Sequence, residues 1–517
     1  MTQAGFLPST YQPLLLSGGL HASAARWPRK TGLVCEGLSR TFGELGERTA
    51  RVAGGSASLG LRPGDRAVIV APNCIEYPEI VCGVSDAGGV VATLSPRLTA
   101  REIAAAVDDC GARFAFVHPS TVDAIAAARP ASLERTVVLG PEYEAWLAAA
   151  TPARPRGDIA ETDPFTLVYS SGTTGEPKGI VISHRSRALT FHGMAMEYGC
   201  YGPDDFQLGI APMSHGAGFA FIMASLYFGG AVEVLPRFDP ELVLSKLGSQ
   251  PFTGVFMVPT HFQAIFGLGA GALERWRGSA GSLRTIMSNA AALPQAVKEK
   301  IVAYFGEGLL HETYGSTEAG IVTNLRPRDQ LVRKQSVGHA FAVTQVRLLD
   351  DKGREVSIGE VGELHSLSPY IFNGYFNRPE ETAKSLRDGW VTAGDLARRD
   401  ADGFLYIVDR KKDMVVTGGL NVYPREIEEV LHQHPAVLEA AVIGVPDEHW
   451  GEALQAYVVL RAGTNAHTAG LEGHCREALA GYKVPKLFRF IDALPRNAGG
   501  KVLKADLRAL ARRNDTT

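Results

Sequence analysis

Between residues 165 and 179 the sequence reads Phe165-Thr-Leu-Val-Tyr-Ser-Ser-Gly-Thr-Thr-Gly-Glu-Pro-Lys-Gly179. A β-branched run leads into Ser170, Ser171, Gly172, Thr173, Thr174, Gly175 and Lys178, so hydroxyls, an ammonium and unobstructed backbone N–H groups can face one concavity. That is the donor set that holds a polyphosphate. It is not a Walker A loop, because the G-x-x-x-x-G-K-[ST] register would need glycine at 177 and a hydroxyl at 179, where Pro177 and Gly179 stand. The string Gly267-Leu-Gly-Ala-Gly-Ala272 fits the dinucleotide pattern only loosely, has no strand leading into it, and reads as a loop.

The elements that position such a loop follow from periodicity. Strands are predicted at 66–71, after the turn Arg62-Pro-Gly-Asp65, and at 88–93, 113–117 and 136–139, with an amphipathic helix at 75–87 between the first two. Strands separated by helix-length segments imply parallel βαβ construction, with ligands at the carboxyl ends of the strands. The Pro- and Arg-rich segment 151–163 reads as a surface linker, and a second alternating block, 165–318, predicts strands at 165–169, 231–235, 254–258 and 285–288. From 337 to 407 the texture becomes short strands and Gly/Asp turns such as Asp350-Asp-Lys-Gly353 and Asp400-Ala-Asp-Gly403, a small β-rich subdomain. After Arg410 come a helix at 424–432, strands at 439–443 and 454–460, and a helix at 469–479. The expected fold class is α/β: a large N-terminal region of βαβ subdomains plus the β-rich subdomain over 1–411, followed by a small mobile α+β domain over 412–517.

The 517 residues carry 52 Lys+Arg against 55 Asp+Glu, a net charge of −3 spread along the chain, which leaves no basic field for nucleic acid. Six scattered cysteines include no C-x-x-C pair, which argues against a zinc ribbon or a disulfide framework and fits a reduced, cytoplasmic protein. The N-terminus lacks the basic n-region of a secretory signal. Residues 206–232 contain no Asp, Glu, Lys or Arg, but Pro212, His215 and five glycines limit the apolar helix to 217–228. That is shorter than the ~20 residues of a membrane span, so a buried core helix is expected and no transmembrane segment.

The string YSSGTTGEPKG resembles the phosphate loop of the adenylate-forming superfamily, which contains acyl-CoA synthetases, adenylation domains and luciferases. Further motifs stand in the family's order: Tyr314-Gly-Ser-Thr-Glu318, Ala393-Gly-Asp395 followed by Asp409-Arg410, Gly418-Gly-Leu-Asn-Val-Tyr-Pro-Arg-Glu-Ile-Glu428, and Pro495-Arg-Asn-Ala-Gly-Gly-Lys501. The resemblance covers roughly residues 20–510 and points to the AMP-forming acyl-CoA ligases. It implies activation of a carboxylic acid with ATP to acyl-AMP and pyrophosphate, then transfer of the acyl group to coenzyme A. On it, residues 170–175 and Lys178 hold the phosphates, and Glu318 with Thr174 holds Mg²⁺. Tyr314 stacks on adenine against the backbone of Ala290, Ala291 and Ala292, with Gly315 and Thr317 completing the nucleotide loop. Glu312 stands where the family often has Asn or Gln on the exocyclic amine, and a carboxylate still accepts that N–H. Asp395 takes the ribose hydroxyls, Arg410 adds a cation, and Lys501 neutralises the transition state of the first step.

The resemblance also makes Lys412 a hinge between two half-reactions, and Gly418 and Gly419 the lining of a pantetheine tunnel, with Arg97, Trp450 and Lys486 as CoA contacts. His215 falls at the gate of the acyl channel, whose wall is expected from Phe256, Asn289, Thr313, Gly315, Gly320 and Ile321. Small wall residues and the absence of Asp between 206 and 232 favour a bulky apolar acid (aromatic, alicyclic or medium-chain) without an α-amine, while Asn289 and Thr313 leave recognition of a substrate hydroxyl or carbonyl open. A separate carrier protein is the alternative acceptor, since no carrier domain follows Arg513, and a homodimer is left open. A luciferase-type oxygenase and a catalytically silent interaction protein are the remaining alternatives. The presence of Lys178, Glu318, Asp395 and Lys501 argues against the silent protein.

Overall fold

The computed structural model describes residues 12–171, 177–496 and 502–514. Among them the expected βαβ construction forms two sheets. One has six strands in the order Arg135–Val138, Phe114–Val117, Arg66–Val70, Val90–Leu94, Pro164–Ser171 and Pro177–Ser183. All its neighbours are parallel except the last pair. The other has nine strands, of which Thr31–Cys35, Ala231–Val234, Phe206–Gly209, Gly254–Met257, Thr285–Ser288 and Leu310–Ser316 form a parallel centre. These strands are short apolar runs because helices cover both faces of a parallel sheet.

Local signals set the helices. Thr41 with Glu44 and Thr99 with Glu102 form capping boxes at the starts of Phe42–Ser58 and Ala100–Cys110. Gly216–Phe228 is a nearly all-buried helix that ends on Gly229 in the left-handed region, and among the described residues no helix is long and apolar enough to cross a membrane. All six cysteines are buried free thiols. Helix Phe42–Ser58 is locked to its neighbours by Arg48, which grips the fully buried Glu79 through Nε and Nη2 at 2.7 and 2.8 Å while Tyr143 donates to the same carboxylate at 2.8 Å.

The two sheets meet through Asn73, just after strand Arg66–Val70. Its amide N–H groups donate to the carbonyls of Ala211 and Leu235, both at 3.1 Å, and its Oδ1 accepts from Met213 N–H at 2.8 Å. The segment 151–163 is a strap pinned to the first domain layer, with Ala153 N–H on Ala50 O and Arg156 N–H on Asp86 O. Gly267–Ala272 is not wholly a loop: a short helix, Ala270–Arg275, starts inside it, because Ala-Leu-Glu-Arg are strong helix formers.

The β-rich part is an antiparallel sheet of Gln345–Leu349, Val361–Leu367 and Trp390–Arg399, with Leu386–Arg387 and Leu405–Arg410 both pairing the last. A single 3₁₀ turn, Lys411–Asp413, then leads into another sheet, where Val437–Asp447 and Gly451–Leu460 form a long hairpin packed by helices Pro424–Gln433 and Lys504–Asn514. The hairpin strand at 437–447 outruns the expected 439–443 because pairing continues past Pro446 to Asp447 opposite Gly451.

His184 joins three of these layers. Its Nδ1 accepts from Leu16 N–H at 3.2 Å and its Nε2 lies 3.3 Å from Ser85 Oγ, so the ring is neutral. Burial holds its pKa down at about 4 against 6.5 in the unfolded chain. The unfolded state therefore takes up the proton first, and stability present above pH 6.5 is lost as the pH falls toward 4. His184→Gln should flatten this decline by up to about 1.4 kcal/mol per pH unit. Urea midpoints of the two proteins across the window check it; parallel declines would contradict the assignment.

Candidate active site

The carboxyl ends of the parallel strands of the two sheets adjoin at Asn73. Strand Pro164–Ser171 leads to the segment 172–176 expected to hold phosphate, and Lys178 returns in Pro177–Ser183, opposite Ser170. Gly172, Thr173, Thr174, Gly175 and Lys501 lie outside the described residues, as do the side chains of Ser170 and Ser171. Lys178 forms an ion pair with Glu381, and its ammonium is 5.8 Å from the ring centroid of Tyr375. The Tyr375 hydroxyl donates to Glu318 Oε1 at 2.9 Å, so one phenol links the two charges that the sequence separates widely.

The hairpin of Leu310–Ser316 and Gly320–Leu325 presents different residues on its two faces, because successive side chains of a strand point to opposite faces. Glu312 and Tyr314 face one way, His311 and Thr313 the other. The Tyr314 hydroxyl donates to Asp395 Oδ2 at 2.6 Å, and Arg410 Nε lies 3.2 Å from Asp395 Oδ1, from the position directly opposite in the β-rich sheet. Burial and the adjacent carboxylate push the Tyr314 phenol well above its ordinary pKa. Glu312 is paired with Lys298, which is only 1% exposed and rises from helix Gln295–Phe305. The contact is an ion pair through Oε2 without an aligned hydrogen bond. Ala290, Ala291 and Ala292 form an exposed run, with Ala290 held in the left-handed region at φ 77°.

On the other face Asn289 Nδ2 donates to Thr313 Oγ1 at 2.7 Å, so these two side chains satisfy each other first. Phe256 stacks on Phe221 with ring centroids 4.1 Å apart, and Tyr198 stacks against Phe221 at 6.0 Å. Beside Phe221 and Phe256 the remaining cavity is about 10 Å³, room for about one water. The small wall residues are used for packing: a Cβ on Gly315 would lie 2.1 Å from the Gly320 carbonyl, and one on Gly320 would meet Tyr370. Ile321 is buried in the same apolar cluster as Phe256 and Phe221. His215 precedes helix Gly216–Phe228; burial, with the Arg97 cation added, lowers its pKa. Arg97 also acts on His261, which stacks on Phe238 at 4.1 Å.

Of the expected CoA contacts, Gly418, Trp450 and Lys486 come together: Gly418 N–H donates to Trp450 O at 2.9 Å, and Lys486 Nζ lies 5.9 Å from the Trp450 ring. Gly419 follows at φ 78°, whereas Arg97 stands near His215 and His261 instead. Among the described residues no three acidic, His or Cys side chains cluster as a metal cage. Glu318 Oε2 has no hydrogen bond from a described residue, and Mg²⁺ commonly takes one carboxylate with phosphate and water oxygens, so the residue present fits it. Tyr375, Glu381, Lys298 and Phe221 escaped the sequence reading; the legible signal was Lys298 standing three residues before buried Ile301 on one helix face.

The fold and the ordered motifs are those of an adenylate-forming enzyme. The sequence matches the AMP-binding enzyme family over residues 20–376 and the AMP-binding enzyme C-terminal domain over 426–501. The chain belongs to this family, that of the AMP-forming acyl-CoA ligases. It is 37% identical over 485 residues to a feruloyl-CoA synthase of Amycolatopsis sp, covering 93% of this chain and 96% of that one. It is 32% identical over 515 residues to the fatty acid–[acyl-carrier-protein] ligase ScoC of Streptomyces coeruleorubidus, covering 96% of both. The ATP-bound crystal structure of MatB from Rhodopseudomonas palustris superposes with a TM-score of 0.89 at 30% identity, covering 96% of this chain and 99% of that one.

The Lys298–Glu312 pair yields a direct test. Lys298→Met leaves a buried carboxylate without its cation and should cost about 3–5 kcal/mol of stability. Adding Glu312→Gln to that variant should recover most of the loss. Denaturant titration of the single and double variants measures both, and additive losses would show that the charges are not coupled.

Proposed function

We propose that the protein activates an apolar carboxylic acid with ATP to acyl-AMP and passes the acyl group to coenzyme A. The observation that carries this is the Tyr314–Asp395–Arg410 chain, which joins the parallel sheet to the β-rich sheet beside Lys178 and Glu318. A carboxylate is a poor acyl donor, so one of its oxygens first attacks the α-phosphorus of ATP and the bond to pyrophosphate breaks. The thiolate of CoA then attacks the acyl carbonyl carbon and AMP leaves. Catalysis is mainly positioning and charge neutralisation.

In this scheme Tyr314 and the exposed backbone at 290–292 hold the base. Asp395, each of whose oxygens retains a lone pair beside Tyr314 or Arg410, accepts from the ribose hydroxyls. Lys178 and the loop at 170–175 hold the phosphates, Lys501 meets the charge at the α-phosphorus, and Glu318 and Thr174 hold Mg²⁺, which neutralises the triphosphate. The wall of Phe221, Phe256, Tyr198 and Ile321 supports an aromatic, alicyclic or medium-chain acid, one bulky enough to require Phe221 to swing aside. An ATP/pyrophosphate exchange panel across acid classes tests the activation step, and thioester assays with CoA or a phosphopantetheinylated carrier protein test the acceptor. Exchange with no acid in the panel would refute the proposal.

Lys501→Ala should abolish adenylate formation yet retain most thioester formation from supplied acyl-AMP, because only the first step builds charge at phosphorus. Single-turnover kinetics of each half-reaction decide; equal losses would remove Lys501 from that role.

The thiol attack calls for a second arrangement of the chain after residue 411, with Gly418, Gly419, Trp450 and Lys486 toward CoA. Lys412 suits a hinge because it stands between two anchors. Lys411 pairs with Asp351 and Glu363 at 2.8 and 3.0 Å on the β-rich side, and Asp413 pairs with Arg508 at 2.9 Å on the other. Proline at 412 would fix φ near −65° and restrict rotation. Lys412→Pro should keep acyl-AMP formation near normal and collapse the thioester step, with Lys411→Pro as the neighbouring control. Wild-type rates in both steps would place the turn elsewhere.

A further inference from the structure

On helix His184–Tyr198 the residues Arg187, Phe191, Met194 and Tyr198 recur on one buried face. Three are apolar or aromatic; Arg187 is a cation, only 7% exposed. A guanidinium has five N–H donors. Here Nη1 donates to the Gly216 carbonyl at 3.3 Å, Nε is buried without a partner, and no carboxylate among the described residues pairs with it. Its other neighbour is the ring of Phe219, 5.6 Å away. Burial lowers its pKa to about 10, so it stays charged at neutral pH. An uncompensated buried charge is expensive and calls for a counter-charge that the described residues do not supply.

Besides that carbonyl and ring, further donors lie beside the charge. Gly216 opens helix Gly216–Phe228, whose first N–H groups have no intrahelical acceptor. A Cβ built on Gly216 would lie 3.5 Å from the Thr317 hydroxyl and 3.8 Å from Arg187 Nη2, so guanidinium, helix start and hydroxyl border one spot. That spot adjoins His215 at the acyl gate on one side and Glu318, next to Thr317, on the other. It is where the acyl group and the phosphates must meet.

We infer that Arg187 holds the reacting carboxylate of the acid substrate, its guanidinium and the start of helix Gly216–Phe228 receiving the carboxylate oxygens beside Thr317. This rests on the ligase function proposed above. The role is electrostatic: a carboxylate drawn into an apolar channel loses its hydration, and the cation replaces it until one oxygen attacks phosphorus. The same chemistry could come from the α-phosphate of ATP or from a second carboxylate at the far end of a diacid, and the experiment separates these sources.

Wild type, Arg187→Met, Arg187→Gln and Arg187→Lys are compared by pyrophosphate exchange with octanoate, benzoate and octanedioate. The melting temperature of each is measured without ATP, with and without octanoate or benzoate. The neutral variants should raise the KM for all three acids roughly tenfold or more, leave the KM for ATP within about twofold, and be partly rescued by Lys. They should also melt no lower than wild type, since a desolvated charge has been removed, and lose the carboxylate-induced rise in melting temperature. A structural role predicts the opposite pair of results: lower melting and unchanged acid KM. That pair, an ATP KM rising with the acid KM, or a defect confined to octanedioate would each overturn the inference. The melting arm uses no nucleotide, so it judges Arg187 even if the exchange assay refutes the ligase function.

Discussion

Two parallel sheets can share one site only if their carboxyl ends are held against a common crevice, and Asn73 meets that constraint with one side chain. Its amide takes two carbonyls and one N–H from the loops that leave the second sheet, and every polar atom of the amide group is used. Thr93 adds a bond to the Ser214 carbonyl at 3.3 Å. Together they fix the segment between strand Phe206–Gly209 and helix Gly216–Phe228, which carries His215 and starts the helix that Arg187 faces. An apolar residue at 73 would leave three buried polar groups unpaired, each costing about 1–3 kcal/mol. The segment that carries His215 would lose its reference to the first sheet.

The second dependence runs through one hairpin. Because strand side chains alternate, Leu310–Ser316 sends Glu312 and Tyr314 to one side and Thr313 to the other, so under the proposed function a single backbone sets the distance between the two substrates. Tyr314 then reaches Asp395 in a different sheet, and Asp395 reaches Arg410, one residue before the turn Lys411–Asp413. The Tyr314 face of the hairpin is thereby tied to the place where the chain crosses into its last sheet.

Much of this was legible before any coordinates. Buried parallel strands read as β-branched runs closed by Gly and Asp turns, so 285–288 is found as Thr285–Ser288 and 113–117 as Phe114–Val117. The charged motif residues stand out in the sequence because the polyphosphate and ribose that the resemblance implies demand particular chemistry. What stayed hidden were partners supplied by distant segments: Glu381 for Lys178, Tyr375 for Glu318, Phe221 for Phe256, Lys298 for Glu312. Local pattern carries no information about which side chain closes such a contact. The glycines at 315 and 320 misled for a related reason, since a small residue signals close packing as readily as open space.

The pairing of Lys178 with Glu381 has a consequence for which ligands can settle on the loop. The lysine is not a vacant cation: any anion that approaches it competes with a tethered carboxylate whose effective concentration is high. A monoanion gains little by the exchange, whereas a multiply charged chain of phosphates displaces the glutamate and keeps further contacts in reserve. Once such a ligand is cleaved and its charge divided between two fragments, the glutamate can return. Under the proposed function the ion pair would therefore act as a charge-counting latch that favours long polyphosphates on entry and helps shorter ones leave.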